Sequence, residues 1–345
     1  MSFNRELLSK CWFLAGPTAS GKTAVSLHLA TMINAEVVAL DSMTVYRGMN
    51  IGTAKPTTDE LKQVRHHLID IVDPNVEFSL ADYLAAAEAA CQGIVDRGRI
   101  PLFVGGAGLY LRGLLRGMFK GPPADWILRN QLEEFSRLHG AQALHDQLRD
   151  VDPTTANRLH PNDQRRVIRA IEVFRLTGQP LSILQRETPL PVEQRPRHVY
   201  WLDPERDWLY RRIDARVCQM FSSGLISEVL QLSARQDQLS QTARQGLGYK
   251  EVLDWLETEM ADSLRRSDSL DPVRDKMADP SLIELIQTKS RQFAKRQLTW
   301  FRNLEECLPI PVLTNIDAAS LADRIVRQSQ DTALFGKGSA ELLTE

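Results

Sequence analysis

An eight-residue stretch, GPTASGKT (Gly16–Thr23), restricts the fold of this chain more than any other feature of its sequence. An apolar run, Cys11–Ala15, comes directly before it, and a helical pattern over Thr23–Met32 follows it. A strand, a loop of the form G-x-x-x-x-G-K-[ST] and a helix build a phosphate-binding loop, because backbone N–H groups and the positive helix end then point at one anion. The stretch therefore predicts a P-loop, and it leaves the phosphorylated ligand open.

Short apolar runs alternate with longer helical patterns along much of the chain. An alanine-rich helix is predicted near Ser79–Arg97, between two of the runs. Besides the run before the P-loop, the predicted strands are Val37–Leu40, Leu68–Val72, Pro101–Val104 and Val199–Asp203. Strands that alternate with helices are typical of a parallel α/β sheet, so the chain is expected to have one.

One long stretch interrupts this alternation. Phe119–Arg197 is helical in pattern throughout, which predicts a helical insertion between two strands of the core. The expected fold is α/β, with a P-loop NTPase-like parallel sheet core, an all-helical insertion domain and a helical C-terminal part. The predicted divisions are 1–118 and 199–316 for the core and its C-terminal helices, 119–198 for the insertion, and 317–345 for a terminal helix and flexible tail. Glu259–Pro280 is rich in Asp, Ser and Arg and is predicted to be a mobile loop, and the tail beyond about Ser329 is expected to fray.

The composition is that of an ordinary globular protein, since 43% of the 345 residues are hydrophobic and 25% are charged. No apolar run approaches the about 18 residues that suggest a membrane-spanning helix. Met1–Lys10 is polar and charged, so no signal peptide is expected, and the scattered cysteines indicate reduced thiols. These features predict a cytoplasmic protein with no membrane partner. The net charge of −2 neither predicts nor excludes a nucleic-acid partner, so only local basic clusters bear on that question.

Three side chains in and near the P-loop are candidates for chemistry. Lys22 places a positive charge on phosphate oxygens, and the hydroxyl group of Thr23 can be a ligand of Mg²⁺, the expected cofactor. Asp41 follows the second predicted strand, and open α/β sheets bind ligands at the carboxyl ends of their strands. Position alone leaves a second interpretation of Asp41, as a cap of the turn that follows.

The run that Asp41 opens, DSMTVYRGMNIGTAKP (Asp41–Pro56), resembles the tRNA dimethylallyltransferases, the isopentenyltransferase family, when it follows this P-loop. Further blocks occur in the family's order and carry the resemblance over roughly residues 11 to 303. They are HHLIDIVDP (His66–Pro74), VGGAGLYLRGL (Val104–Leu114), HPNDQRRVIRAIEV (His160–Val173), GLGYKE (Gly246–Glu251) and RQFAKRQLTWFRN (Arg291–Asn303). Because the cysteines form no zinc finger of the kind that some eukaryotic members append, the chain is similar to the bacterial or organellar type.

The resemblance implies that the P-loop holds the diphosphate of dimethylallyl diphosphate and not ATP. The acceptor would be N6 of the adenosine on the 3′ side of the tRNA anticodon, flipped out of its stack. Lys22, with Mg²⁺ on Thr23, would stabilise the leaving diphosphate, and Asp41 would accept the proton of the amine. The residues implied to bind the diphosphate are Gly16, Pro17, Thr18, Ala19, Ser20, Gly21, Lys22 and Thr23.

Two basic segments suit RNA phosphates, although by pattern alone a solvated helix face is an equal interpretation of each. One is the Arg165–Arg169 cluster, and the other is Lys289–Asn303, where basic residues alternate with Phe293, Trp300 and Phe301. The resemblance favours tRNA, with the anticodon stem-loop as the partner. The residues that it implies to contact tRNA are Asp41, Ser42, Met43, Thr44, Ala107, Arg129, Gln164, Arg165, Arg166, Val167, Ile168, Arg169, Arg244, Gln245, Gly246, Leu247, Gly248 and Tyr249. Ala107 replaces the threonine of the family's usual VGGTGLY, which removes one hydroxyl group near the acceptor.

Other functions stay open on the residues alone. A P-loop kinase of small molecules would need a γ-phosphate donor such as ATP in the same loop. An isopentenyltransferase could act on free adenine nucleotides, and a GTPase-like switch could bind RNA without transfer chemistry. The chain is expected to act as a monomer.

Overall fold

The structure, a computed structural model, describes residues 3–119, 121–185, 190–191, 194–266, 279–313 and 316–341, and the side chains of 259–266 and 331–341 lie outside that description. Its centre is a parallel sheet with the strand order β3-β2-β4-β1-β5-β6. The strands are β1 (Trp12–Ala15), β2 (Ala35–Leu40), β3 (His66–His67), β4 (Ile100–Gly105), β5 (His198–Pro204) and β6 (Leu308–Val312). The predicted α/β class with a parallel sheet is confirmed.

Four of the predicted strands are confirmed with bounds shifted by one or two residues, but the prediction for Leu68–Val72 is wrong. Leu68 and Asp70 have positive φ angles of 62° and 55°, which a strand does not tolerate. Val72 instead forms an isolated parallel bridge with Tyr46. The strand in this part of the chain is β3, and it lies directly before the predicted one.

Helices of the first part precede, connect or follow the first four strands of the sheet. They are α1 (Arg5–Ser9), α2 (Lys22–Met32), α3 (Thr58–Gln63), α4 (Leu80–Asp96) and α5 (Gly108–Arg116). The predicted alanine-rich helix is confirmed as α4, and Ser79 begins it by accepting a hydrogen bond from the backbone of Asp82. Because α2 follows the glycine loop after β1 and α5 follows the turn after β4, both helices begin at the carboxyl edge of the sheet.

The described residues fall into two compact units, Arg116–Leu190 and a larger unit of Phe3–Leu115 with Pro191–Glu345. The smaller unit consists of α6 (Trp126–His139), α7 (Ala141–Val151), α8 (Pro153–Ala156), α9 (Gln164–Thr177) and α10 (Leu181–Leu184). The described part of residues 119–197 contains no strand, as the pattern predicts. Leu132, Leu144, Leu148 and Ile171 belong to the core of this unit, which buries one face of each long helix.

The last part of the chain is helical except for β6. It consists of α11 (Arg206–Ser222), α12 (Leu225–Ser233), α13 (Gln241–Arg244), α14 (Tyr249–Arg266), α15 (Pro280–Arg302) and α16 (Ala318–Glu341). The mobile-loop prediction is wrong at both ends, because α14 continues to Arg266 and α15 begins at Pro280; residues 267–278 lie outside the described part. The tail is helical as far as Glu341, where α16 ends, and its fraying beyond Ser329 stays a prediction.

Two hydrophobic clusters among the described residues show how the larger unit packs. One lies along the sheet, where Leu14 and Leu102 pack against Leu29 of α2 and Leu321 of α16. The other packs α11, α12, α14 and α15 against the segment after β2, which contributes Val45, Tyr46 and Met49. No helix of the described chain combines the length and the apolarity that crossing a bilayer requires.

Candidate active site

The P-loop is built by left-handed backbone positions after β1. Gly21 has a φ of 90°, and Ala19, although it carries a side chain, has a φ of 62°. Lys22 is the first residue of α2, so the N–H groups of the first helical turn have no partner within the helix. Gly16–Thr23 thus forms a loop before a helix, a geometry suited to an anion.

Several hydrogen bonds fix the shape of this loop. The Lys22 Nζ atom donates to the carbonyl oxygen of Pro17 at 2.6 Å. The Arg212 Nε atom, from α11, donates to the carbonyl oxygen of Ala19 at 2.9 Å. The hydroxyl group of Ser20 is buried and has no hydrogen-bond partner in the described part of the protein. An unsatisfied buried hydroxyl group inside a phosphate-binding loop is suited to a ligand oxygen.

Asp41 lies directly after β2, at the same edge of the sheet as the P-loop. Its Oδ1 atom accepts hydrogen bonds from the backbone N–H groups of Met43 at 2.7 Å and Thr44 at 3.3 Å. Among the described residues, no hydrogen bond to its Oδ2 atom is present. The interpretation of Asp41 as a cap of the following turn is therefore confirmed for Oδ1, while the catalytic interpretation stays a prediction that Oδ2 would carry.

Lys22, Arg216 and Asp41 form one electrostatic group. Burial, and next the charge of Arg216, lower the pKa of Lys22 to about 7, while Asp41 acts to raise it. Burial, with help from Arg212, also lowers the pKa of the Arg216 guanidinium group, and Asp41 again opposes the shift. Two partly desolvated cations beside a phosphate-binding loop are suited to an anion with several negative charges.

Arg212 and Arg216 were not among the residues expected from the sequence. Both lie on α11, whose apolar residues Leu209, Ile213 and Val217 are buried. The Nε atom of Arg216 is buried and has no hydrogen bond to another described residue. Two arginines at i and i+4 are the signal that could have been used, since that spacing aims both side chains along one helix face.

The turn after β4 lies beside Asp41. The backbone N–H of Ala107 donates to the carbonyl oxygen of Leu40 at 3.2 Å, one residue before Asp41. Gly108 begins α5, and a side-chain carbon on it would lie 2.8 Å from Trp300 of α15. Ala107 thus lies close to Asp41 in the fold, as expected for two residues that were both predicted to contact tRNA.

Two segments predicted to contact tRNA, Asp41–Thr44 and Arg244–Tyr249, are neighbours in the structure. A side-chain carbon on Gly246 would lie 3.2 Å from the sulfur atom of Met43. Thr44 is buried, and its hydroxyl group has no hydrogen-bond partner in the described ranges. Tyr249 is buried too and its hydroxyl group binds Glu228, so this side chain supports the segment from inside. Ser42, Arg244 and Leu247 are partly exposed, and Gln245 is exposed, while Gly248 takes the positive φ that ends this turn.

The residues of the smaller unit that were predicted to contact tRNA are of three kinds. Gln164, Arg165 and Arg166 are exposed at the start of α9. Val167 and Ile168 are buried in the core, so the prediction that their side chains contact tRNA is wrong. A side chain that packs in a hydrophobic core has no surface left for RNA.

Arg129 and Arg169 are the third kind, because both bind the fully buried carboxylate of Glu172. Arg129 does so with Nε and Nη2 at 2.9 Å each, and Arg169 with Nη1 at 2.5 Å. Glu172 also accepts a hydrogen bond from the backbone of Asp125 at 2.7 Å. Burial would raise the pKa of Glu172, but the hydrogen bonds from Arg129 and Arg169 outweigh it and lower the pKa. Arg129 therefore holds α6 against α9, while Arg169 binds the same carboxylate from within α9.

The basic segment on α15 exposes its charged side chains more fully than its aromatic rings. Lys289, Lys295 and Arg296 are exposed, so they remain candidates for RNA phosphates. Phe301 is fully buried and belongs to the core, whereas Trp300 packs against Gly108 and is partly exposed.

A magnesium site fits the P-loop but not a cage of protein ligands. Over the described residues, no group of three or more His, Cys, Asp or Glu side chains could hold a metal ion. Mg²⁺ prefers oxygen ligands, keeps several waters and is often held by one or two protein groups together with phosphates. Thr23 in the first turn of α2, with the unsatisfied hydroxyl group of Ser20 in the same loop, offers such a partial ligand set.

Comparison with known proteins agrees with this geometry. A family model described as IPP transferase matches residues 44–304, and one described as isopentenyl transferase matches residues 9–77. The chain is 43% identical over 312 residues to tRNA dimethylallyltransferase of Geobacter sulfurreducens, covering 90% of this chain and 95% of that protein. It is 40% identical over 329 residues to tRNA dimethylallyltransferase of Rhodopirellula baltica, covering 93% of each.

Solved structures are similar as well. The crystal structure of the tRNA isopentenylpyrophosphate transferase of Bacillus halodurans is 38% identical with a TM-score of 0.63, covering 95% of this chain and 99% of that one. A eukaryotic dimethylallyltransferase acting on tRNA is 27% identical, also with a TM-score of 0.63, over 87% of this chain and 73% of that one. The chain belongs to the IPP transferase family.

Proposed function

We propose that this chain is a prenyltransferase that moves the dimethylallyl group of dimethylallyl diphosphate to N6 of the adenosine 3′-adjacent to the tRNA anticodon. The observation that carries the proposal is the group at the carboxyl edge of the sheet, where the P-loop, two desolvated cations and the carboxylate of Asp41 come together. Membership of the IPP transferase family supports the same reaction.

In this reaction the bond between the allylic carbon and the diphosphate oxygen breaks, and the electron pair leaves with diphosphate. Negative charge therefore grows on the leaving group. Lys22, Arg216 and the N–H groups at the start of α2 would bind that charge, and they need no reorganisation because the fold already holds them. Gly16–Thr23 as a whole would be the diphosphate site.

The new bond forms between the allylic carbon and N6, and the amine must then lose a proton. Asp41 is the proton acceptor that we propose, because its Oδ1 is fixed by Met43 and Thr44 while Oδ2 is left for the amine. General-base catalysis of this kind contributes about 10²–10⁴-fold to a rate.

Mg²⁺ is proposed as the cofactor, with Thr23 as its protein ligand. When bound it would neutralise charge on the diphosphate oxygens. The chain's own part is to present the Thr23 hydroxyl group at the start of α2 and to keep Lys22 and Arg216 beside it.

For tRNA, we propose contacts in each unit. In the larger one, Ser42, Met43, Ala107 and the turn Arg244–Gly248 would meet the flipped adenosine and its neighbours, since they surround Asp41. In the smaller one, Gln164, Arg165 and Arg166 would bind phosphates, because they are exposed and two of them are basic.

The alternatives are less well supported. A small-molecule kinase or a GTPase-like switch does not account for the match to the IPP transferase model over residues 44–304. An enzyme of free adenine nucleotides would not need exposed basic residues such as Arg166 and Lys295. A cytoplasmic location and a monomeric state stay predictions.

To identify the group donor, the protein is incubated separately with each of three labelled compounds. They are ATP and GTP labelled in the γ-phosphate and dimethylallyl diphosphate labelled in the prenyl group, each with an anticodon stem-loop or with AMP. We expect label only in the stem-loop and only from dimethylallyl diphosphate. Phosphate transfer from ATP would instead indicate a kinase, and prenylated AMP with unlabelled RNA would indicate the free-nucleotide enzyme.

A further inference from the structure

Gln297 connects two loops of the candidate site by two hydrogen bonds. It lies on α15 and only 5% of it is exposed. Its Oε1 atom accepts from the backbone N–H of Thr18, in the P-loop, at 2.9 Å. Its Nε2 atom donates to the carbonyl oxygen of Gly106, in the turn after β4, at 2.9 Å. One side chain thus spans the loop predicted to hold the donor and the turn predicted to meet the acceptor.

The orientation of this amide is fixed by its partners. Thr18 offers only an N–H group and Gly106 offers only a carbonyl oxygen, so the amide has one orientation that satisfies both. A side-chain carbon on Gly106 would lie 2.2 Å from Nε2, so the glycine is what allows the close approach. A carboxylate at the same place could accept from Thr18 but would repel the Gly106 oxygen.

The two loops that Gln297 joins set the distance between the reactants. The P-loop holds the leaving group, while Gly106 precedes Ala107, whose N–H binds Leu40 beside Asp41. The Thr18 N–H is used by Gln297, so it serves the shape of the loop and does not point at phosphate. A displacement of about 1 Å in such a frame can cost about 10²-fold in rate.

We propose that Gln297 is a positioning residue, which holds the P-loop at a set distance from the Gly106–Ala107 turn and so aligns the prenyl donor with Asp41 and the acceptor amine. The proposal rests on the proposed function. It assigns to the motif RQFAKRQLTWFRN a role distinct from RNA binding, carried by its buried face and not by its basic side chains.

The test compares Gln297→Glu and Gln297→Met with the wild type over about pH 6 to 8, using kcat/KM for dimethylallyl diphosphate at saturating stem-loop. Gln231→Glu, at an exposed position of α12, is the matched control for the charge change. Once protonated, the introduced carboxyl group can donate to Gly106 and accept from Thr18, as the amide does. The activity of Gln297→Glu relative to wild type should therefore be lowest at high pH and rise as the pH falls, by up to about tenfold per unit.

Gln297→Met should lose about 10- to 100-fold in kcat/KM at every pH, because it can make neither hydrogen bond. Binding of the stem-loop should be unchanged in both variants, and Gln231→Glu should match wild type throughout. A relative activity of Gln297→Glu that does not change with pH, or wild-type kinetics in Gln297→Met, overturns the proposal. A merely structural role would lower the melting temperature of both variants and leave kcat/KM per folded enzyme at the wild-type value.

Failure of the proposed function gives a different result. In that case the wild type itself would leave the stem-loop unmodified. Calorimetry with inorganic diphosphate then still tests Gln297, because the proposal expects weaker binding by Gln297→Met than by wild type. Equal affinities for inorganic diphosphate would overturn it.

Discussion

The hydroxyl group of Tyr249 donates a hydrogen bond to the carboxylate of Glu228 at 2.6 Å and also accepts one from the backbone of Gly52 at 3.1 Å. Glu228 accepts further hydrogen bonds from the backbone of Asn50 and Ile51. Together they hold the segment after Asp41 against α12 and α14. Burial and the Glu228 carboxylate both raise the pKa of Tyr249, so the hydroxyl group stays protonated and able to donate.

Tyr249→Phe should lower the free energy of unfolding by about 1–3 kcal/mol, because Gly52 and Glu228 each lose a partner in a buried place. Urea unfolding followed by circular dichroism measures this. Tyr210→Phe is the control, since the Tyr210 hydroxyl group makes no hydrogen bond to any described residue and its ring lies under Arg206. Equal effects of the two substitutions would show that the hydrogen bonds of Tyr249 contribute nothing particular.

Glu172→Ala should lower the free energy of unfolding of the smaller unit by about 3–5 kcal/mol. The substitution leaves Arg129 and Arg169 without the buried carboxylate that they share. The pH dependence has a definite sign. Since the pKa of Glu172 is lowered on folding, its stabilising effect is present above the unfolded pKa and lost as the pH falls through the folded one. Hydrogen exchange of α6 and α9 at neutral and acidic pH would show this, and exchange that is unaffected by the substitution would contradict it.

In mildly alkaline solution, the Lys22 amine should take up a proton when the donor binds. Because burial lowers the pKa of Lys22 to about 7, the amine is largely neutral at about pH 8, whereas a bound diphosphate anion favours its charged form. Binding should therefore weaken as the pH rises above about 7. Calorimetry with inorganic diphosphate in buffers of different ionisation enthalpy counts the protons.

The matched variants for that measurement are Lys22→Met and Arg216→Gln. Lys22→Met should abolish the uptake. Arg216→Gln removes a charge that lowers the pKa of Lys22, so it should reduce the uptake while also weakening binding. Uptake that persists in Lys22→Met would assign the proton to another group.

The sequence is informative about this site where a motif determines local geometry. The P-loop and the position of Asp41 after β2 follow from the residues themselves, because glycine spacing and strand ends leave few arrangements. Partners that are distant in sequence are different. Glu172 with Arg129, and Gln297 with Thr18, depend on how helices pack, and no local pattern encodes that.

Two strands were also predicted wrongly or missed from the sequence pattern. Leu68–Val72 has the apolar residues of a short strand, but the backbone turns at Leu68 and Asp70. Strand β6 was missed because it contains Pro309 and Pro311, which usually argue against a strand. Proline is tolerated in β6 because this strand lies at the edge of the sheet, where N–H groups on one side need no partner.

Charge reversal at exposed basic residues should weaken the binding of all tRNA sequences equally, because these residues would contact phosphates and not bases. Arg166→Glu and Lys295→Glu should each lower affinity for all stem-loops, and should flatten the slope of log K against log salt by about one. Arg327→Glu, which changes the net charge equally at an exposed position of α16, is the control. Donor binding should not change in any of them. An unchanged salt slope for Arg166→Glu and Lys295→Glu would remove these two residues from the RNA surface.

The product formed at the acceptor adenosine and the role of Asp41 can be tested together. The decisive measurement incubates wild type and Asp41→Asn with dimethylallyl diphosphate and an anticodon stem-loop, then digests the RNA and identifies its nucleosides by mass spectrometry. We expect N6-dimethylallyladenosine at the position 3′ to the anticodon, none from a stem-loop with guanosine there, and a rate about 10²–10⁴-fold lower with Asp41→Asn, which still binds the RNA. Unmodified RNA with wild type, or equal rates for the two proteins, would contradict the account.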